Sequence, residues 1–123
     1  MWLPPARALV AWNGGRQAAR AVKDALPLLA LAEEVVVLTL GEDEGDSLAA
    51  VTAMLGRHGV KASGEVRPGE GGTGERLLAV AGEVGADLLV MGAYSHSRLR
   101  EAVFGGATRD VLGYAHLPVL LSA

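Results

Sequence analysis

The stretch RALVAWNGGRQAARAVKDALPLLALAEEVVVLTL, residues 7 to 40, decides the fold class. Its opening RALVAW (7–12) is an apolar run of strand length, and the Gly14-Gly15 pair after it leads into a helix expected over residues 16–31. Ala19, Val22, Leu26 and Leu29 sit at i, i+3, i+7 and i+10 along that helix, which predicts an apolar face through them. Pro27 removes a backbone donor and predicts a kink in the last turn. EVVVLTL (34–40) is apolar without alternation, the pattern of a strand covered on both faces. Strand, helix and doubly covered strand make a βαβ unit, which requires a parallel sheet wrapped by helices.

The rest of the chain repeats this alternation. The acidic GEDEGD (41–46) reads as a solvated loop, since it lacks the alternating ligand set and terminal Glu of a calcium loop. Ser47 or Asp46 can cap the next helix, which carries Leu48, Val51 and Leu55. In VKASGEVRP (60–68) Val60, Ala62, Gly64 and Val66 alternate with Lys61, Ser63, Glu65 and Arg67, predicting a half-exposed strand at a sheet edge. PGEGGTG (68–74) is a loop, and the helix behind it is expected to bury Leu77, Leu78, Ala81 and Val84. ADLLVMG (86–92) gives a fourth strand, residues 106–115 a fourth helix and LPVLLS (117–122) a fifth strand. The expectation is α/β: one domain over 1–123 with an open doubly wound, five-stranded parallel sheet flanked by four helices. In such sheets ligands bind beyond the carboxyl ends of the strands, where the strand order reverses. That places the candidate site among Ala11 to Gly15, Leu40 to Glu42 and Met91 to Ala107.

Composition narrows the function classes. With 123 residues and no cysteine, the chain can bury a core without staples, and thiolate chemistry, disulfides and Cys-ligated zinc are excluded. A net charge of -3 does not steer the chain as a whole to nucleic acid, so an anion site has to be local. No apolar run is long enough to span a membrane and no export signal is read at the start, so a cytoplasmic location is expected. No Walker loop is present, because neither Lys23 nor Lys61 follows the required glycines. Ser95 beside His96 is not a nucleophile elbow, since Gly92 stands three residues before Ser95 and Ser97 two after it. His58, His96 and His116 lack metal-ligand spacing; His58 and His116 suit carbonyls or dipoles at helix ends.

One stretch does carry chemistry. In VMGAYSHSRLREAVFGGATRDVL (90–112) a strand ends at Gly92 and a helix is entered through Gly105 and Gly106. Amides of Gly106, Ala107 and Thr108 would then be first-turn donors without partners inside the helix, with glycine allowing close approach of an anion. His96, Arg98 and Arg100 lie in the preceding loop, and Arg109 in the first turns. The bland alternative is a plain turn with solvated arginines.

The layout VAWNGG, VMGAYSHS, FGGATRDVL and AHLPVLL, which covers nearly the whole chain, resembles the universal stress protein family. The resemblance implies a flavodoxin-like, adenine nucleotide alpha hydrolase-like sheet of strand order 3-2-1-4-5, and a non-catalytic domain that binds or senses ATP or AMP in a stress response. Nucleotide-binding members carry Gly, two residues, Gly, nine residues, Gly and then Ser or Thr. This chain reads Gly92, Ala93-Tyr94, Ser95, nine residues to Phe104, Gly105 and Gly106, so Ser95 and Gly106 depart. Ser95 adds a side chain where phosphate would lie on the backbone and Gly106 lacks a hydroxyl, so weak ATP binding is expected. Members that bind ATP have Asp in place of Asn13, a hydrophobic residue matching Leu40 at the end of strand two, and a residue before the motif matching Met91. Asn13 offers both an acceptor and a donor to an adenine edge, and Trp12 packs at the strand end, where its ring could shape a base pocket. The implied site is therefore Trp12, Asn13, Leu40, Met91, Gly92, Ser95, His96, Arg98, Gly105, Gly106, Ala107 and Thr108. Mg2+ or Mn2+ enters only if ATP binds, and at most a weak ATPase is implied.

The uncharged LPVLLS strand at an open edge needs a cover, and a second copy paired through Leu117 to Leu121 would supply it. Family members resemble this arrangement. Besides that homodimer, the expected partner is a small nucleotide or phosphate-like anion, with no nucleic acid and no membrane. The alternative is a dimerising stress module that has lost nucleotide binding.

Overall fold

The computed structural model describes residues 5–69, 73–92 and 117–122. β1 (Arg7–Ala11) leads through α1 (Arg16–Leu31) to β2 (Glu34–Leu40), and a 3-10 turn (Glu44–Asp46) precedes α2 (Ser47–Arg57). β3 (Ala62–Arg67), α3 (Thr73–Val84), β4 (Leu88–Gly92) and β5 (Val119–Ser122) follow. All pairings are parallel and the sheet runs β3-β2-β1-β4-β5, so the expected fold class and strand order hold. The fourth expected helix, at 106–115, lies outside the described residues.

Alternate residues of each strand feed two separate cores, which is why the central strands read as continuous apolar runs. Ala8, Val10, Val35, Val37, Leu88 and Val90 pack with α1 and α2, whereas Leu9, Ala11, Leu38, Leu89 and Met91 pack with α3. Val10, Val35, Val37, Leu38, Leu89 and Val90 are at most 1% exposed, so both faces of the inner strands are packed over most of their length, with Val36 half-buried on the α3 side.

Three local expectations need correction. On α1 the fully buried positions include Ala18, Ala21 and Ala25 beside Val22 and Leu29, while Ala19 is exposed and Leu26 half-buried. Small side chains let the helix lie close to the sheet, and weighting the bulky residues turned the expected face away from them. The helix bounds, Arg16–Leu31 with an exposed Pro27 inside the last turns, are those expected. β3 is at the edge as expected, yet its alternation does not sort inside from outside: Val66 is 50% exposed while Glu65 and Arg67 are half-buried. The Arg67 guanidinium bonds Glu65 on its own strand and Glu83 of α3 at 2.9 Å, and those two bonds, Glu65 first, raise its pKa above the usual arginine value. The ion pair brings charged residues over the sheet. Finally, neither Ser47 nor Asp46 caps α2 through its side chain; Asp43 Oδ1 accepts from the Leu48 amide at 2.9 Å, so the acidic loop is structural at that residue.

Among the described residues, no helix is long and apolar enough to cross a membrane. His58 Nδ1 lies 2.9 Å from the Met54 carbonyl, the helix-end partner expected for it, while His116 lies outside the described residues.

Candidate functional site

The chain runs outwards from β1 to β2 and β3, then returns to the other side of β1 for β4 and β5. The order therefore reverses between β1 and β4, and the crevice beyond their carboxyl ends is the position at which such sheets bind ligands.

The lip of the crevice on the β1 side is a built loop. Trp12 still donates its amide to the Leu38 carbonyl at 2.8 Å, and its own carbonyl accepts from the Thr39 hydroxyl at 2.9 Å. Thr39 is 2% exposed, so this bond satisfies a polar group inside the sheet. The half-buried indole of Trp12 packs against the core on the α1 and α2 side, and its Nε1 donates to Ser47 Oγ at 3.0 Å. One residue on, the side-chain oxygen of Asn13 accepts the Gly15 amide at 2.8 Å, an Asx turn that carries the chain from β1 into α1. Gly14 between them has φ +79°, and a Cβ there would meet Ser47 Oγ at 3.1 Å. Strand end, first helix and second helix are thus tied at one place.

On the β4 side, Gly92 closes against α1. A Cβ at this position would lie 2.6 Å from Gln17 Cβ, 2.7 Å from the Gln17 carbonyl carbon and 2.9 Å from the Ala18 nitrogen. Only glycine lets the first turn of α1 come this close to the end of β4. Met91 is fully buried in the core on the α3 side, so its contribution to a ligand would come from its backbone. Leu40 is half-buried at the end of β2, two residues past the last pairing with β1, Ala11 with Leu38.

Five residues of the expected site, Trp12, Asn13, Leu40, Met91 and Gly92, are therefore at the carboxyl ends of β1, β2 and β4. The other seven, Ser95, His96, Arg98, Gly105, Gly106, Ala107 and Thr108, lie outside the described residues. Asn13 differs from its expected role in one respect: one lone pair of its oxygen is taken by the Gly15 amide, so its NH2 is the group turned fully towards a ligand. Thr39 and Ser47 are supports that the sequence reading missed. A hydroxyl inside an otherwise apolar strand was a signal for Thr39, whereas Ser47 was read as a cap and not as the partner of an indole. Among the described residues no three His, Asp or Glu side chains come together to hold a metal ion.

Several solved structures share this arrangement. A protein of the universal stress protein family from Burkholderia pseudomallei is 26% identical, with a TM-score of 0.73 and coverage of 94% of each chain. A universal stress protein in complex with cAMP is 21% identical at a TM-score of 0.79, covering 98% of each chain. Another from Archaeoglobus fulgidus, in complex with dAMP, is 19% identical at a TM-score of 0.75, covering 98% of this chain and 100% of its own. No curated protein matches the sequence at a significant level. The family model described as universal stress protein family matches residues 39–122, from the end of β2 to the end of β5, and the chain belongs to that family.

Proposed function

We propose that the crevice between the ends of β1 and β4 binds a purine nucleotide, and that the domain uses this binding to sense or report ligand and not to catalyse a reaction. The observation that carries the reading is the Trp12–Gly15 loop, built by three side-chain hydrogen bonds and glycine contacts at the switch point of a universal stress protein sheet. Leu40 and Trp12 offer apolar surface and Asn13 a polar group for the base, while the Gly105-Gly106 turn with Arg98 is the proposed seat of the phosphates. The cAMP and dAMP complexes of two structural relatives support AMP-like ligands and ATP as first candidates. A divalent cation, Mg2+ or Mn2+, would arrive with the phosphates of ATP. No relative named here favours loss of nucleotide binding.

The same reading includes a homodimer through Leu117 to Leu121 and a role in stress response in the cytoplasm. Support for the dimer comes from β5, which has β4 on one side, is uncharged and keeps Val119, Leu120 and Leu121 only half-buried.

Native mass spectrometry of freshly purified protein, followed by calorimetry with AMP, cAMP and ATP, tests the reading. Retained or added nucleotide at one per chain is the expected result. Absence of binding to all three, with inorganic phosphate and inosine monophosphate also without effect on the melting temperature, would sink it.

A further inference from the structure

The Asx turn fixes more than the path of the chain. The group that Asn13 Oδ1 accepts from is the backbone N–H of Gly15, at 2.8 Å, and an amide NH2 in that place would face another donor. The orientation of the carboxamide is therefore set by hydrogen-bond chemistry, with oxygen inwards and nitrogen outwards. A Cβ built on Gly15 would lie 3.0 Å from Oδ1, so the oxygen is held tightly against the turn. Asn13 is exposed, two residues beyond the end of β1 at the lip of the crevice. The group it turns outwards is the NH2 donor, while its oxygen stays engaged in the turn.

We infer that Asn13 makes the base end of the crevice selective for purines whose exocyclic 6-position accepts a hydrogen bond, so that 6-oxopurine nucleotides bind better than adenine nucleotides. This rests on the nucleotide reading above and refines it. Adenine carries an amino donor at position 6, which would meet the Asn13 NH2 donor to donor. Hypoxanthine and guanine carry oxygen there, and their O6 and N7 form an edge of acceptors only. Aspartate at position 13 reverses the sign: one carboxylate oxygen can hold the Gly15 amide and the other accepts from an amino group. The turn is kept, because Asp makes the same Asx turn as Asn.

Calorimetry with inosine monophosphate, adenosine monophosphate and purine ribonucleoside monophosphate, which has hydrogen at position 6, tests this on the wild type and on Asn13→Asp. The wild type is expected to bind the inosine nucleotide about tenfold more tightly than the adenosine one, with the unsubstituted purine between them, as one hydrogen bond gained and one donor left unpaired require. Asn13→Asp is expected to invert the order. Equal or tighter binding of adenosine monophosphate by the wild type overturns the inference while leaving the nucleotide reading intact. Failure of all three nucleotides to bind the wild type overturns the inference, and the nucleotide reading falls with it when cAMP and ATP also fail; an unchanged order in a folded Asn13→Asp protein overturns the inference by showing that residue 13 does not read the base.

Discussion

Gly92 and Gln17 are in the closest contact that their backbones permit: the position a Cβ would occupy on residue 92 is 2.6 Å from Gln17 Cβ and 2.7 Å from the Gln17 carbonyl carbon. Two of the three nearest atoms there are backbone, so no rotamer change relieves the clash. The helix has to retreat from the strand. Gly92→Ala is expected to destabilise the fold by about 1 to 3 kcal/mol, the range for overpacking a filled site. Urea denaturation checks it, and a variant as stable as the wild type would mean that α1 moves away at no cost. The function-side consequence is a widened crevice, read as weaker nucleotide binding in the part of the population that remains folded.

The sheet was legible in the sequence because its inner strands are packed on both faces over most of their length. EVVVLTL could be nothing but a doubly covered strand, and its observed bounds, Glu34–Leu40, are those read from the sequence. Where the reading slipped, a contact from another element decided the outcome. The apolar face of α1 follows Ala18, Ala21 and Ala25, whose small size matters only against the sheet, and Val66 is exposed while Glu83 of α3 pulls Arg67 over the edge strand. The site divides in the same way. Gly92 was singled out from motif spacing, but its reason is the backbone of Gln17, 75 positions earlier in the chain (92 minus 17), which local sequence does not encode. Which group Asn13 turns outwards is not legible from its residue type, because the bond that holds its oxygen comes from the turn itself.

The Trp12–Ser47 bond joins the end of β1 to the start of α2, and it is part-buried. Ser47→Ala leaves the indole N–H without its partner, at an expected cost of about 1 to 2 kcal/mol. Fluorescence reports the same change directly. The chain has two tryptophans, so Trp2→Phe leaves Trp12 as the sole indole, and Ser47→Ala in that background is expected to shift its emission. Emission and stability both unchanged would show that the indole finds another acceptor.

Asp43 holds the first turn of α2 through the Leu48 amide at 2.9 Å, in a loop that bends through Gly45 and Asp46 with φ values of 64° and 57°. A side-chain cap of this kind contributes about 0.5 to 2 kcal/mol. Asp43→Ala should lose that amount in chemical denaturation, whereas Glu42→Ala, next to it and exposed, should change stability little. Equal losses in the two variants would assign the effect to the charge of the acidic loop and not to the cap.

The proposed dimer is testable at β5 without dismantling the sheet. The strand is held on one side by its pairing to β4 from Leu89–Val119 to Gly92–Ser122, and at its end by Ser122 Oγ, which donates to Asp24 Oδ2 of α1 at 3.0 Å. Those bonds stay in Leu120→Lys, since the substitution changes neither the strand's backbone nor Ser122. What changes is the half-buried Leu120, which packs against the α1-side core at the sheet edge, and a lysine on an edge strand is a standard obstacle to pairing with another chain. Sedimentation velocity at micromolar concentration should therefore find the wild type as a dimer and Leu120→Lys as a monomer, with circular dichroism showing both folded. A wild type that sediments as a monomer removes the need for a partner at this edge, and a folded Leu120→Lys dimer moves the interface elsewhere on the molecule.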